Sequence, residues 1–539
     1  MNDSKENSLT EKQEAVGLLI VLFVGAAIRM ACIISASYSP SFRVLDLDAE
    51  VYHEWAENLA LGGSTNAGTF EMAPLYPYAI SILYRITGPN PDNARAMQFF
   101  LGILIIIMTW LLARRFVSAG FGLLCASMVA LCGPLILYEQ VLISSTIVTF
   151  LILGSLICLE GTIRKNAAFA LAAGLCAGGA ALGQPGLLIM PPATALVLII
   201  TKPSDMNGKS RTRIACLVLL GAFLAVAPVT IRNFVKGGEF VPVSSNAGMN
   251  FYIGNHPKAT GMISTPFASA NDPGSQMRMF RKLAEKGRGR SLSPNEISAY
   301  WFEKTFHSIG RHPAGWIGTM IKKTLLFINR LEVPNVLDFE LERRYQPPLY
   351  LAFVVPGILI PLALLGMIPL AGIFRGRIIL VPVLCAWLVC ILFFVSGRFR
   401  APVLPLMCIS AGYGLWTFYR TAILHRRKKI LQLAGLIIAF TAIVHYPVAR
   451  ADRGYEHFKI GSRAHLAGMV DVAETEYSLA LSHRPLLQAI NNLALLKEQT
   501  ARKSEALRYW KMLEAHALSA GNERLHRRAI RSIKKLKNP

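Results

Sequence analysis

Apolar segments of about 20 residues recur along this chain, the length that an α-helix needs to cross the hydrocarbon core of a bilayer. They lie at about 15–37, 93–113, 117–138, 141–160, 166–183, 186–201, 212–231, 349–373, 376–396, 402–420 and 429–447. The chain has 539 residues, of which 53% are hydrophobic and 16% charged. We therefore predict an all-α polytopic membrane protein with about 11 transmembrane helices.

The net charge of +24 does not indicate nucleic-acid binding, because much of it is concentrated in short connections between apolar segments. These clusters are Arg114/Arg115, Arg164/Lys165, 209–213, Arg375/Arg377 and "HRRKK" at 425–429. Basic loops of this kind face the cytoplasm. They agree on one orientation if 74–88, "PLYPYAISILYRITG", is an interfacial helix and not a span. Residues 38–92, 232–348 and the tail after 447 then lie outside.

The first outer segment contains an acidic stretch, "LDLDAEVYHEWA" at 45–56. A helix is predicted to begin near Ala49, which places Asp48 at the N-cap position. Its carboxylate would then either cap the helix or serve as a catalytic base. Asp46 and Glu50 lie close enough in sequence to share either role.

Other polar residues fall on the same outer side. Tyr76 of "MAPLYPY" suits the headgroup region, and Glu139 of "LYEQVLISS" lies at an outer mouth, where it is expected to be hydrated. Arg398 and Arg400 of "GRFRAPVLP" stand where the positive-inside bias disfavours arginine. We expect them to bind a phosphate, whose oxygens match guanidinium geometry. Arg29 in the first span is expected to snorkel to the interface.

The tail shows a weak repeat with a period near 33, which pairs Ala473 with Ala506 and Tyr477 with Trp510. This spacing resembles tetratricopeptide helix pairs and makes 448–539 a candidate for binding a protein. The alternative is a basic amphipathic tail on the membrane surface. The nine cysteines all lie in apolar segments without metal-site spacing.

In order and spacing, several motifs resemble the bacterial GT-C glycosyltransferases of family 39, the dolichyl-phosphate-mannose–protein mannosyltransferase and aminoarabinose-transferase type. These motifs are "LDAEVYHEWA", "APLYPY", "ARRF", "LYEQVLI", "SSNAGMNFYIGNHP", "RLEVPN" and "GRFRAPVLPLMCISAGYGL". The resemblance extends from 15 to about 420. It implies a glycosyltransferase domain at 1–447, with the catalytic acid in the first outer loop and a large outer loop at 232–348.

The resemblance further implies inverting transfer of a sugar from a polyprenyl-phosphate donor to a protein, lipid A or polysaccharide acceptor. It places the active site and the tail on the periplasmic side of a bacterial inner membrane. The catalytic acid is carried to Asp48, with Asp46 and Glu50 as alternatives. Arg398, Arg400, Glu139, Tyr76, Asn250 and Asn255 are expected to bind substrate. No cofactor is required, although a divalent metal stays open.

The sequence departs from the family's pattern in two places. Ser144 and Ser145 stand where relatives often carry an acid, which weakens any two-carboxylate or metal-bound centre. Ala73 stands where aminoarabinose transferases place a basic residue. The main alternative function is a transporter or flippase of lipid-linked sugars, but such a protein would be expected to show repeated halves. A non-catalytic scaffold would leave the acidic loop and the arginine pair without a role.

Overall fold

The computed structural model describes residues 9–64, 68–164, 167–201, 206–263 and 273–537. Lys165 of the basic clusters therefore lies outside the described residues, as do the ends of the predicted domains, 1–8 and 538–539. The chain forms two compact units. The first contains Met1–Ala31, Asp46–Val336 and Pro348–Val448, and the second contains Cys32–Leu45, Leu337–Pro347 and Ala449–Pro539.

The described ranges are helical and contain no β-strand, apart from two isolated bridges. The helices up to the large outer segment are α1 Glu11–Ala36, α2 Pro40–Arg43, α3 Leu47–Ala60, α4 Leu75–Thr87, α5 Pro91–Ala113, α6 Ala119–Ala130, α7 Gly133–Tyr138, α8 Ser145–Arg164, α9 Ala168–Gly183, α10 Met190–Ile200 and α11 Gly208–Gly237. The remaining helices are α12 Ala247–Asn255, α13 Pro273–Arg288, α14 Pro294–Arg311, α15 Pro313–Phe327, α16 Phe339–Tyr345, α17 Pro356–Ala371, α18 Phe374–Leu392, α19 Gly397–Arg400, α20 Leu404–Ile423, α21 Arg427–His445, α22 Arg453–Leu466, α23 Val470–His483, α24 Leu487–Gln499, α25 Lys503–Ser519 and α26 Glu523–Lys537.

Among the described residues, seven helical segments are long and apolar enough to cross a membrane. They are Glu11–Ala36, Pro91–Ala113, Ser145–Thr162, Gly208–Gly237, Phe374–Leu392, Gly397–Ile423 and Arg427–His445. Four shorter apolar helices, Ala119–Ala130, Ala168–Gly183, Pro185–Ile200 and Pro356–Ala371, occupy the other four predicted positions. The predicted fold class, an all-α polytopic membrane protein, is confirmed.

Helix α4 covers the segment that was expected not to span. Its 13 residues extend about 20 Å, which is less than the hydrocarbon thickness. Tyr76, Ile80 and Tyr84 form its buried face, whereas Ile82 and Ile86 are exposed. A short helix with one face packed on the protein and apolar residues on the other suits a position along the bilayer interface.

Small residues allow close backbone packing between α9 and α11. A Cβ atom added at Gly174 or Gly221 would overlap the carbonyl oxygen of the facing helix, Val218 or Leu171. This contact is the small-residue packing that is common between membrane helices, where dispersion and not water exclusion favours association.

The second unit assembles the tail with the end of α1, α2 and α16. The Asp338 side chain caps α16 and accepts two hydrogen bonds of 2.9 Å from Arg453. Glu342 accepts hydrogen bonds from Ser39 at 3.0 Å and Ser41 at 2.5 Å. The unit is therefore built from three separate parts of the chain, of which the predicted tail is one.

The repeat partners of the tail are all buried. Ala473 and Tyr477 belong to one hydrophobic cluster, and Ala506 and Trp510 belong to the next. Each pair fills the space between two successive helices, as the period near 33 requires. The tetratricopeptide assignment stays a prediction.

We expect Trp510→Ala to open the second of these clusters. Removing a fully buried indole leaves a cavity and costs about 3–5 kcal/mol of the unit's unfolding free energy. Limited proteolysis of the full-length protein should then cut within 503–537 much faster than in the wild type. Leu518→Ala, on the same helix but 66% exposed, is the control. Equal protection of the two variants would contradict the packing.

Candidate active site

The acidic stretch begins α3, but two residues earlier than the capping prediction required. The helix starts at Leu47 and its N-cap is Asp46, whose side chain makes no capping hydrogen bond. The N-cap prediction for Asp48 is therefore wrong, because Asp48 lies in the first helical turn. Leu47 has φ +52°, a left-handed conformation that costs a non-glycine residue about 1–2 kcal/mol. Strain of this kind is often retained at functional sites.

Asp48 forms an ion pair with Arg398, 350 residues further along the chain. Both side chains are partly accessible, at 16% and 18% of full exposure, so a small molecule can reach them. Tyr52 lies one turn after Asp48. Burial, and then the nearby Asp48 charge, raise the pKa of Tyr52, so its phenol stays protonated. The predicted base and one predicted phosphate ligand therefore face each other.

Three contacts fix the short helix α19 that carries Arg398. The Gly397 N–H donates to the Val333 carbonyl at 3.0 Å, and the Ser145 hydroxyl donates to the Arg398 carbonyl at 3.1 Å. A Cβ atom at Gly397 would overlap the Glu332 carboxylate. The glycine of "GRFR" is therefore required by close packing and not by an unusual backbone angle.

Arg400 is enclosed, unlike Arg398. It is 1% exposed, pairs with Glu332 at 2.7 Å and donates to three carbonyl oxygens, of Phe327, Asn329 and Leu331, at 2.9–3.0 Å. Tyr138 donates its hydroxyl to the same carboxylate at 3.0 Å. The structure thus separates the two arginines that were predicted to bind phosphate. The motif "RLEVPN" supplies the acid, Glu332, and one of the three carbonyls, that of Leu331.

Glu139 and Arg29 form a second enclosed ion pair. The guanidinium meets both carboxylate oxygens, at 2.7 and 3.0 Å, and also donates to the carbonyls of Gly25 and Ala130. The side chains are 1% and 7% exposed. The expectations of a hydrated Glu139 and a snorkelling Arg29 are wrong, because each charge neutralises the other inside the protein. A substrate does not reach the Glu139 carboxylate in this state.

Tyr76 packs against Tyr52 and is fully buried. Its ring meets the Tyr52 ring edge-on, with centroids 5.6 Å apart. Its hydroxyl has no hydrogen-bond partner within the described ranges. Asp46 is partly buried at the start of α3, and Glu50 is exposed in the same first turn as Asp48. Asp48 forms an ion pair with Arg398, one of the arginines of the predicted set.

The two asparagines predicted to bind substrate lie on α12. Asn250 is partly exposed. Asn255 is buried, donates to the carbonyls of Phe251 and Leu392, and accepts from Trp316 Nε1 and Lys323 Nζ, both at 3.0 Å. Its hydrogen-bonding groups are therefore used inside the protein.

Lys323 is the residue of this region that sequence reasoning missed. It is fully buried, and burial lowers the pKa of its ammonium to about 7. In the sequence it follows Lys322, so the pair resembles an ordinary solvated charge. Only the apolar residues on either side, "WIGTMIKKTLLF", hint that one of the two lysines faces inward.

Within the described ranges, no three His, Cys, Asp or Glu side chains lie together in a group that could hold a metal ion. Asp48 has an arginine beside it where a metal site would need a further ligand. The residues around the ion pair therefore do not fit a metal centre.

Residues 71–231 match the model of a family described as dolichyl-phosphate-mannose-protein mannosyltransferase. The segment resembles that family. It runs from just before α4 into α11 and includes Tyr76 and Glu139, but it makes up less than a third of the chain. The predicted resemblance to this class of glycosyltransferases is confirmed over that segment. No curated protein sequence matches the chain.

Solved structures with a similar arrangement include membrane glycosylation enzymes. The oligosaccharyltransferase AglB from Archaeoglobus fulgidus, in complex with an inhibitory peptide and a dolichol-phosphate, is 15% identical with a TM-score of 0.45. The match covers 91% of this chain but only 59% of that protein's length. ArnT from Cupriavidus metallidurans, bound to undecaprenyl phosphate, is 15% identical with a TM-score of 0.34, and 75% and 79% of the two chains are covered.

We expect Arg29→Met to destabilise the first unit, because it leaves the buried Glu139 carboxylate without its partner. Breaking a buried ion pair in this way costs about 3–5 kcal/mol. The thermal unfolding midpoint of the purified protein in detergent measures the loss. Adding Glu139→Leu to the variant should recover part of it. Arg85→Met, at an exposed arginine, is the control. A similar drop of the thermal midpoint in Arg29→Met and Arg85→Met would contradict the assignment of Arg29 and Glu139 as a buried ion pair.

Proposed function

We propose that the chain is a membrane glycosyltransferase that moves a sugar from a polyprenyl-phosphate donor to an acceptor at the extracytoplasmic face. The observation that carries the proposal is the partly accessible pair of Asp48 and Arg398. The family match over 71–231 supports the donor class, since the family's description names a polyprenyl-phosphate-linked sugar.

The pair supplies the two charges that the reaction needs at one place. A carboxylate can take the proton of the acceptor hydroxyl, and a guanidinium can bind phosphate oxygens through several N–H donors. Arg398 Nε is buried without a hydrogen-bond partner among the described residues. The guanidinium therefore retains donor capacity beyond its bond to Asp48.

Donor binding would exchange the partners of Arg398. The donor's phosphodiester is anionic and competes with Asp48 for the guanidinium, so Arg398 turns to the phosphate and Asp48 is released as a base. Without donor, the ion pair keeps both charges compensated at a partly buried position.

The chemical step then forms one bond and breaks another. The acceptor oxygen attacks C1 of the sugar as Asp48 takes its proton, and the bond from C1 to the phosphate oxygen breaks with inversion. The electron pair of that bond leaves on the polyprenyl phosphate, whose negative charge increases by one. Arg398 stabilises this charge, and a contact of this kind is worth about 2–4 kcal/mol of barrier.

The two enclosed ion pairs have positioning roles in this proposal. Arg400 and Glu332 hold the outer-loop segment 327–333 against α19, which carries Arg398. Arg29 and Glu139 join α1 to the segment before α8. Neither pair exposes a charged group to substrate, and no step of the proposed reaction uses a metal.

The orientation of the chain follows from its basic loops. The positive-inside bias supports an extracytoplasmic position for the first outer segment, and with it Asp48. We propose, from the resemblance to the bacterial family, that this is the periplasmic side of a bacterial inner membrane. The acceptor is a protein, lipid A or a polysaccharide, and the tail is a candidate for holding a protein partner. The experiment below distinguishes these acceptors.

We expect Asp48→Asn to abolish transfer, because an amide cannot accept the proton. Arg398→Gln should reduce the rate by about 30- to 1,000-fold, which corresponds to the loss of about 2–4 kcal/mol. Mass spectrometry of glycolipids, glycoproteins and polysaccharide from a deletion strain carrying each variant gives the readout. The molecule that loses a sugar in the deletion strain identifies the donor and the acceptor.

Glu50→Gln, on the exposed side of the same helix, is the matched control and should keep the wild-type glycan profile. Protein levels are measured in the same membranes. A normal profile for Asp48→Asn at a normal protein level would disprove the assignment of the base. Loss with Glu50→Gln but not with Asp48→Asn would transfer the role to Glu50.

A further inference from the structure

Lys323 of α15 is the only fully buried lysine of the first unit's described residues, and its partners are all oxygens of one small region. Its Nζ donates to Asn255 Oδ1 at 3.0 Å and to the carbonyls of Ile391 and Phe393 at 3.1 and 2.7 Å. Three acceptors match the three N–H groups of an ammonium. Among the described residues it has no carboxylate partner, so it is not half of an ion pair.

Two of these oxygens, the carbonyls of Ile391 and Phe393, belong to the C-terminal end of α18. That helix ends at Leu392, and the last carbonyl groups of a helix have no partner within it. Lys323 binds the carbonyls of Ile391 and Phe393, and Asn255 Nδ2 donates to the carbonyl between them, that of Leu392, at 2.7 Å. A cation at this end also favours the helix dipole. Two side chains from the outer segment therefore cap three consecutive carbonyls.

The capped carbonyls lie five to seven residues before Arg398. The backbone that connects them to Arg398 is also fixed, by a hydrogen bond and by close packing. The Val395 N–H donates to the Gly261 carbonyl at 2.9 Å. A Cβ atom at Gly254 would overlap the Phe393 carbonyl, so α12 packs directly on this turn. Trp316 holds Asn255 in place through its indole N–H. The end of α18 therefore has little freedom to move before the chain enters α19.

We propose that Lys323, Asn255 and Trp316 form a positioning cluster that sets where Arg398 meets the donor phosphate. The inference rests on the proposed function, since it assigns Arg398 to the phosphate. It gives Asn255 a role through Arg398 and not through contact with the sugar. It also gives a shared role to Asn255 and Lys323, which are 68 residues apart in sequence and meet at one turn.

The opposing explanation is that the cluster only stabilises the fold. Both explanations predict a lower thermal midpoint when Lys323 is changed, so stability alone does not separate them. The two explanations differ in whether the effect of changing Lys323 depends on Arg398. A positioning role acts through Arg398 and disappears when Arg398 is absent, whereas a stabilising role does not depend on Arg398.

The test is a double-variant cycle on the purified full-length protein in detergent, with farnesyl phosphate as the probe. Lys323→Met should weaken its binding about tenfold or more, consistent with losing a set of charge-assisted hydrogen bonds. Farnesol, which lacks the phosphate, should bind each variant equally. In the Arg398→Gln background, Lys323→Met should have no further effect. Lys322→Met, at the neighbouring lysine, is the matched control and should bind like the wild type.

Wild-type affinity of Lys323→Met, or an equal loss in the presence and absence of Arg398, would overturn the positioning role. Wild-type affinity of Arg398→Gln would instead overturn the proposed phosphate site, so the two failures are distinct. If Lys323→Met does not fold, Trp316→Phe takes its place in the cycle, because it removes a single donor to Asn255. The losses of farnesyl phosphate affinity from Trp316→Phe and Arg398→Gln are again expected to be non-additive. Additive losses would count against the proposal.

Discussion

The ion pair between Asp48 and Arg398 is the contact on which the account of this protein depends. It joins the helix after the first span to a turn near the end of the membrane domain, across 350 residues of chain. Each charge is costly to leave unpaired at a partly buried position, so the pair stabilises the resting arrangement. Each charge is also what a sugar transfer from a lipid phosphate requires. In the proposed reaction, the same contact therefore holds the site together at rest and has to open when the donor binds.

The position of Arg398 is set by the large outer segment more than by its own helix. Arg400 on α19 donates hydrogen bonds to backbone carbonyls at 327–331. The Lys323 cluster caps the carbonyls at the C-terminal end of α18, the helix before α19. Enclosed charges of this kind contribute little net stability compared with apolar packing, but they tolerate few alternative arrangements. We infer that precision of geometry is their contribution.

The sequence predicted the helical membrane class and the place of all eleven apolar helices, because length and hydropathy determine both. It also predicted roles for Asp48, from an acid cluster and the family resemblance, and for Arg398, from arginines on the unfavoured side, and the structure pairs the two side chains. It could not separate Arg398 from Arg400, since their exposure depends on Glu332 and on backbone carbonyls from a distant segment. It could not predict that Glu139 is enclosed, because its partner Arg29 lies 110 residues away. For Lys323 only the flanking apolar residues gave a hint, because buried and solvated lysines otherwise look alike in sequence.

The most direct test of the central claim is a structure of the protein, by electron cryo-microscopy in lipid nanodiscs, with a polyprenyl phosphate bound. The account predicts that the Arg398 guanidinium leaves Asp48 and donates to the phosphate oxygens, while Asp48 faces the space where an acceptor hydroxyl would enter. Arg400 should stay on Glu332. A phosphate bound elsewhere, with the ion pair of Asp48 and Arg398 intact, would contradict the account.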